Sequence, residues 1–253
     1  AVTNNLAAGI PSKADIIINR EGYALGYSEA HEQAAWVCYR LTASEVRNKR
    51  ANRTDDFRED PLVPTGSAGL SDYRGSGYDR GHLAPAADMH WSGVTMSESF
   101  FLSNMSPQRP YFNRDIWREL ETVVRNFAVA NDSVWVVTGP VLEEGLPTIG
   151  PSGVSVPRYY FKAVLDFEEP EIKAIGFLLP NGKSSRPLSS FVVSIDELER
   201  HTGMDFFSMI PDEIENRIEA VSDSSGWNFR SARPDVRTSL SSDSEASAGL
   251  ALM

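Results

Sequence analysis

The chain has 253 residues, long enough for one large domain or two small ones. Its hydrophobic content of 41% supports a globular core, and it holds no apolar run of about 18 residues that would span a membrane. A net charge of −11 argues against a protein that coats nucleic acid over its whole surface, and the single cysteine, Cys38, excludes an intramolecular disulfide or a cysteine-built metal site.

The opening AVTNNLAAGIPSK has no basic stretch followed by an apolar one, so no signal peptide is expected within it. Strands are expected through DIIIN, GYALGY and AAWVCYRL, which are rich in β-branched and aromatic residues and broken by glycine. Cys38 sits in the third of these, where a small buried hydrophobe is its ordinary role. Arg40 to Arg58 forms a local cationic strip, and the chain prefers arginine (19) to lysine (5), as bidentate phosphate contacts would. Residues 51–78 read as mostly loop, a strand and turn follow through 79–89, and a short helix is expected around Ser97–Phe101.

Residues 113–130 give the strongest helix. Asn113 stands as its N-cap, and Ile116, Leu120, Val123, Val124 and Phe127 make the buried stripe. SVWVVTGPV, RYYFKAVLDF and EIKAIGFLLP read as strands, SIDELERHTG and PDEIENRIEAV as helices. The pattern predicts an α+β fold, an antiparallel β-sheet core flanked by helices, as one domain over 1–238. The serine-rich stretch 239–253 reads as a low-complexity tail.

The chemistry is concentrated in residues 78–121, where a histidine, three amides and an acid lie among several arginines. Metal-assisted phosphodiester hydrolysis needs a base for water, a divalent ion at the phosphate and a cation for the transition state. His82 is the candidate base: with an intrinsic pKa near ~6.5 it is largely neutral at pH 7, and activity should rise through that value. A loop histidine is by itself more often structural, but Arg80 and the amide cluster shift the balance. His31, His90 and His201 lack such company and read as structural or surface residues. His82 and His90 have no carboxylate at a zinc-like spacing.

At the head of its helix, Asn113 can turn an amide oxygen to a hard cation that keeps most of its waters. Glu121, eight residues on, can hold those waters, and Arg125 can reach phosphate, although a plain Glu–Arg surface pair would look the same. The glycines at 75, 77 and 81 miss the spacing of a dinucleotide-binding loop.

Residues 78–125 resemble the DNA/RNA non-specific endonucleases of the ββα-metal fold, and the stretch FREDPLVPTGSAGLSDYRGSGYDRGHLAPAADMHWS is especially similar to their endonuclease G branch. D-R-G-H, an N-x-S-P-Q beginning 22 residues after its histidine, and N-x₇-E carry the likeness, which extends from about Gly26 to Gly203. The resemblance implies a ββα-metal motif at about 72–130, with His82 as general base and Asn113 as magnesium ligand, manganese being able to substitute. It implies that Asn104 orders the site, Glu121 acts through metal-bound water, Arg53 stabilises the transition state, and Arg80 and Arg125 contact phosphate. Arg50 and Arg58 compete with Arg53 for its role. It further implies DNA and RNA as substrates, products with 5′-phosphate ends, and a homodimer. A periplasmic or secreted location after signal removal is the accompanying expectation. A nucleic-acid-binding homologue without catalysis and a phosphodiesterase of narrower range are the rival readings.

Overall fold

The computed structural model describes residues 4–229, so the 239–253 stretch and the boundary at 238 lie outside the described residues. In chain order the strands are β1 (Ile16–Asn19), β2 (Ala24–Ser28), β3 (Gln33–Thr42), β4 (Asp79–His82), β5 (Met105–Gln108), β6 (Ser133–Pro140), β7 (Thr148–Ile149), β8 (Val154–Ser155), β9 (Tyr159–Asp166), β10 (Lys173–Pro180) and β11 (Val192–Val193). The α-helices are α1 (Ala43–Arg47), α2 (Leu70–Tyr73), α3 (Gly93–Glu98), α4 (Arg118–Ala130), α5 (Ile195–Thr202) and α6 (Asp212–Glu219).

Seven strands form one antiparallel sheet in the order β1-β2-β3-β6-β9-β10-β11. Its central strands are mostly apolar and buried because both faces are covered, Arg40 of β3 and Lys162 of β9 being exceptions in composition. Successive side chains alternate between faces. Val37, Tyr39 and Leu41 of β3, with Tyr160 and Val164 of β9, meet the α4 stripe of Leu120, Val123, Val124 and Phe127. Trp36 and Cys38, with Phe161, Ala163 and Leu165, face the other way, onto Ile195 and Leu198 of α5 and Ile218 of α6. The result is a helix–sheet–helix sandwich with the expected mixture of elements.

The catalytic candidates occupy the α4 side. There β4 and β5 pair as a separate two-stranded antiparallel sheet, with His82 opposite Met105 and Asp79 opposite Gln108. Gly81 is required at this point: a Cβ there would collide with the Gln108 side chain. Together with the helix that follows β5, this is the ββα unit. On the far side, Ser194 caps α5 by accepting from the Glu197 N–H at 3.1 Å, and Gly203 closes it in the left-handed region at φ 68°.

Two expectations need correction. The short helix lies at Gly93–Glu98 rather than Ser97–Phe101, because Ser92 caps it and accepts from the Val94 N–H. Phe100 and Phe101 come after it and turn inward instead. Asn113 is not an N-cap. The chain is already helical at Tyr111, and Phe112–Trp117 form a π-helical turn leading into α4, so Asn113 lies inside the helix with its N–H on the Arg109 carbonyl at 2.9 Å. No helix among the described residues is long and apolar enough to cross a membrane.

Candidate active site

His82 ends β4 and is buried, the residue being 9% exposed. Phe100 meets it edge-on at 4.9 Å between centroids and Phe57 at 5.8 Å. Each of these rings carries an arginine: the Arg53 guanidinium stands 4.9 Å from the Phe100 centroid, and Arg80 stands 3.9 Å from that of Phe57. Two aromatic walls thus hold a histidine and two guanidiniums together, although Arg53 is 29 residues upstream of His82 in the chain.

Burial and the charges of Arg53 and Arg80 push the His82 imidazolium pKa down to about 3. The titration expected near 6.5 is therefore displaced, and the ring is neutral wherever a base would be needed. Its Nε2 is sealed from solvent without a hydrogen-bond partner.

Arg53 is distinguished from its competitors by position. Arg58 is committed to Asp56 and to Ser97 and lies over the Phe101 ring, whereas Arg53 lies over Phe100, the ring that packs on His82. Arg53 makes one ion pair, 2.7 Å to Asp55, with both side chains more than half exposed. Such a pair is worth little and is easily exchanged for another anion. Arg80 is exposed and forms no ion pair among the described residues.

Asn104 is fully buried and spends its whole amide on backbone. Oδ1 accepts from Ala84 N at 2.9 Å, and Nδ2 donates to the carbonyls of Ala84 and Ser99 at 3.0 and 2.9 Å. It cannot also touch substrate. It orders the loop after His82, as a positioning residue, and the Leu83 N–H on its carbonyl reinforces that link.

Asn113 is linked to β4 by a different bond. Its Nδ2 donates to Asp79 Oδ2 at 2.9 Å, and Arg114 clamps the same carboxylate at 2.8 and 2.6 Å. These bonds outweigh the desolvation of Asp79 and hold its carboxyl below the usual range. Because an acidic acceptor takes the NH₂ end, Oδ1 is the end of the Asn113 amide left for a cation. The donor set fits a hard ion that takes few protein ligands, so the residues present suit magnesium.

One turn and more along α4, Glu121 is half-buried, and Arg125, close enough to act on its charge, gives its hydrogen bonds to other partners. Arg125 Nη1 donates to Asp88 at 2.8 Å and Nη2 to Thr122 Oγ1 at 2.9 Å, while Tyr39 donates to the other Asp88 oxygen at 2.8 Å. Beneath them Lys162, fully buried on β9, has its Nζ 4.9 Å from the Trp117 ring centroid and no hydrogen bond. Burial raises the Glu121 carboxyl and lowers the Lys162 ammonium, and each opposes the shift of the other. Two acids and two bases make a compensated cluster under the site. Asp79, Asp88, Phe57, Phe100 and Lys162 were not singled out from sequence. The one signal available was Lys162 itself, a charge on an otherwise apolar strand face.

The remaining histidines are structural or surface residues: His31 bonds Ser155 Oγ at 2.9 Å, His90 bonds the Val46 carbonyl at 3.1 Å, and His201 is exposed. Cys38 is buried, its thiol pushed up to about 12 by desolvation.

Against known proteins, residues 2–213 match the family model described as DNA/RNA non-specific endonuclease. The chain belongs to that family. Human mitochondrial endonuclease G is 36% identical over 215 residues, covering 78% of this chain and 71% of that protein. A nuclease of Nostoc sp. is 32% identical, covering 88% of this chain and 87% of its own. Among solved structures, a chain from the EndoG/EndoGI complex superposes with a TM-score of 0.77 at 32% identity, over 83% of this chain and 92% of that one. The seven-stranded antiparallel sheet with its helices is thus the fold of that structure.

Proposed function

We propose that this member of the family is a magnesium-dependent endonuclease that hydrolyses the phosphodiester bonds of both DNA and RNA. The observation that carries the reading is the grouping of a neutral, half-sealed His82 with Arg53 and Arg80 across two phenylalanine walls. General-base catalysis needs an unprotonated acceptor near the positive charge that receives the phosphate, and here the same arginines that would bind phosphate also keep the base neutral.

With Nε2 closed off, the other ring nitrogen, Nδ1, is the one offered to water. His82 takes a proton from that water as its oxygen bonds to phosphorus, the bond from phosphorus to the 3′-oxygen breaks, and the departing 3′-oxygen takes a proton from a second water, leaving a 5′-phosphate and a 3′-hydroxyl. Arg53 and Arg80 meet the extra negative charge of the five-coordinate phosphorus. Asn113 would hold the magnesium through Oδ1, with Glu121 binding its waters. When bound, that ion supplies positive charge at the phosphate and at the departing oxygen. Asp79 keeps the Asn113 amide turned the right way. Asn104 keeps His82 in place through the backbone that follows it.

Arginine contacts to phosphate read backbone rather than base edges, so little sequence preference is expected. Manganese, with similar oxygen-ligand chemistry, should substitute. A digest of supercoiled plasmid and of total RNA, each with and without EDTA, tests the reading: cleavage of both, abolished by EDTA, is the expected result.

A further inference from the structure

The sheet face opposite His82 carries a second group of ionisable residues that the nuclease reaction does not use. Asp196 and Glu199 are three residues apart on α5, and so lie on one side of it. Glu219 is the last residue of α6. One carboxylate oxygen from each of the three lies within 4.8 Å of the other two. None of them forms an ion pair with a cationic side chain among the described residues.

Glu219 is the decisive member. It is 8% exposed, and its Oε1 is sealed from solvent with no hydrogen-bond partner. A buried carboxylate oxygen with neither donor nor counter-ion is costly, and close to two further acids it must be relieved by a proton or by a cation. Asp205 and Glu215 add more negative charge around it.

We propose that Asp196, Glu199 and Glu219 form a second divalent-cation site, selective for calcium-like ions, that ties α6 to α5. The donors are all hard oxygens, with no nitrogen or sulfur to favour zinc or copper. Calcium accepts several oxygens at about 2.3–2.6 Å in a flexible geometry, so three carboxylate oxygens within 4.8 Å of one another can converge on it by side-chain adjustment. Magnesium demands a stricter octahedron at about 2.0–2.1 Å and keeps most of its waters, so it is the poorer fit to three converging carboxylates. Asp196 is exposed, which leaves an approach for the ion and room for waters to complete the shell. Burial and the neighbouring Glu199, Glu215, Asp196 and Asp205 push the Glu219 carboxyl up to about 8, so at pH 7 the incoming ion displaces a proton.

Calorimetric titration of calcium into the full chain tests this, using an Asn113→Ala background to remove the catalytic ion site. One ion should bind at about 10⁻⁴–10⁻³ M, the range of weak exposed calcium modules. About one proton should be released at pH 7, read from the buffer dependence of the heat. Calcium should raise the Tm of that background, and adding Glu219→Gln should abolish binding, proton release and the Tm rise. Asp196→Asn, at an exposed position, should weaken binding at least tenfold and serves if Glu219→Gln does not fold. No binding up to about ten times the upper concentration, or equal binding by the substituted chains, would overturn the proposal.

Discussion

His82 should make the folded protein sensitive to acid in a way that its replacement removes. Its folded pKa is depressed to about 3, against ~6.5 for an unfolded histidine. Below pH ~6.5 the unfolded chain takes up a proton that the native site refuses, so stability is lost as pH falls from that value toward the folded pKa. Each pH unit in this window costs about 1.4 kcal/mol. At pH 5, some 1.5 units below the unfolded value, the loss attributable to His82 is about 2 kcal/mol, or about 4–8 °C in Tm for a chain of this size. His82→Ala lacks this contribution while keeping every other titrating group. Melts of both proteins at pH 8 and pH 5 isolate it: the wild type should lose about 2 kcal/mol more than the substituted chain over that interval. Parallel losses would refute the claim that the site holds His82 neutral by burial and by its two arginines.

Asn113→Ala should raise the magnesium concentration needed for half-maximal cleavage at least tenfold with little change in Tm, because Asn113 is no helix cap and Arg114 still holds Asp79; metal titrations beside a melt check both. Arg80→Ala should raise KM and flatten the fall of binding with added salt, since one phosphate contact is lost, and an unchanged salt slope would place Arg80 outside the substrate path. Sedimentation at micromolar concentration should show a homodimer, and a species only at the 27.9 kDa chain mass would count against it.

The large sheet was legible because β3, β6, β9 and β10 are long and apolar, and α4 because its stripe recurs at helical spacing. The two-residue strands β7, β8 and β11 are too short to leave a periodic signal. Asn113 misled because an amide before an apolar helix has the chemistry of a cap. What decided otherwise was tertiary: β4 brings Asp79 beside it, and the turn opens as a π-helix. The arginines were legible as a strip but not as individuals. Choosing Arg53 over Arg58 depends on which guanidinium stacks on Phe100, a contact across 47 residues of chain. The displaced pKa of His82 was likewise invisible, since it arises from burial between Phe57 and Phe100 and from two charges that the sequence leaves in separate segments.

The central claim is that His82 and a bound divalent ion together cut the nucleic-acid backbone. Plasmid and total RNA should be incubated with wild type and His82→Ala at matched, saturating magnesium, with circular dichroism confirming that both are folded. The account predicts cleavage of both substrates by the wild type, complete loss in EDTA, and a rate lower by about 10²–10⁴ for His82→Ala. A folded His82→Ala protein cutting within twofold of wild type, or wild-type cleavage that survives EDTA, would contradict it.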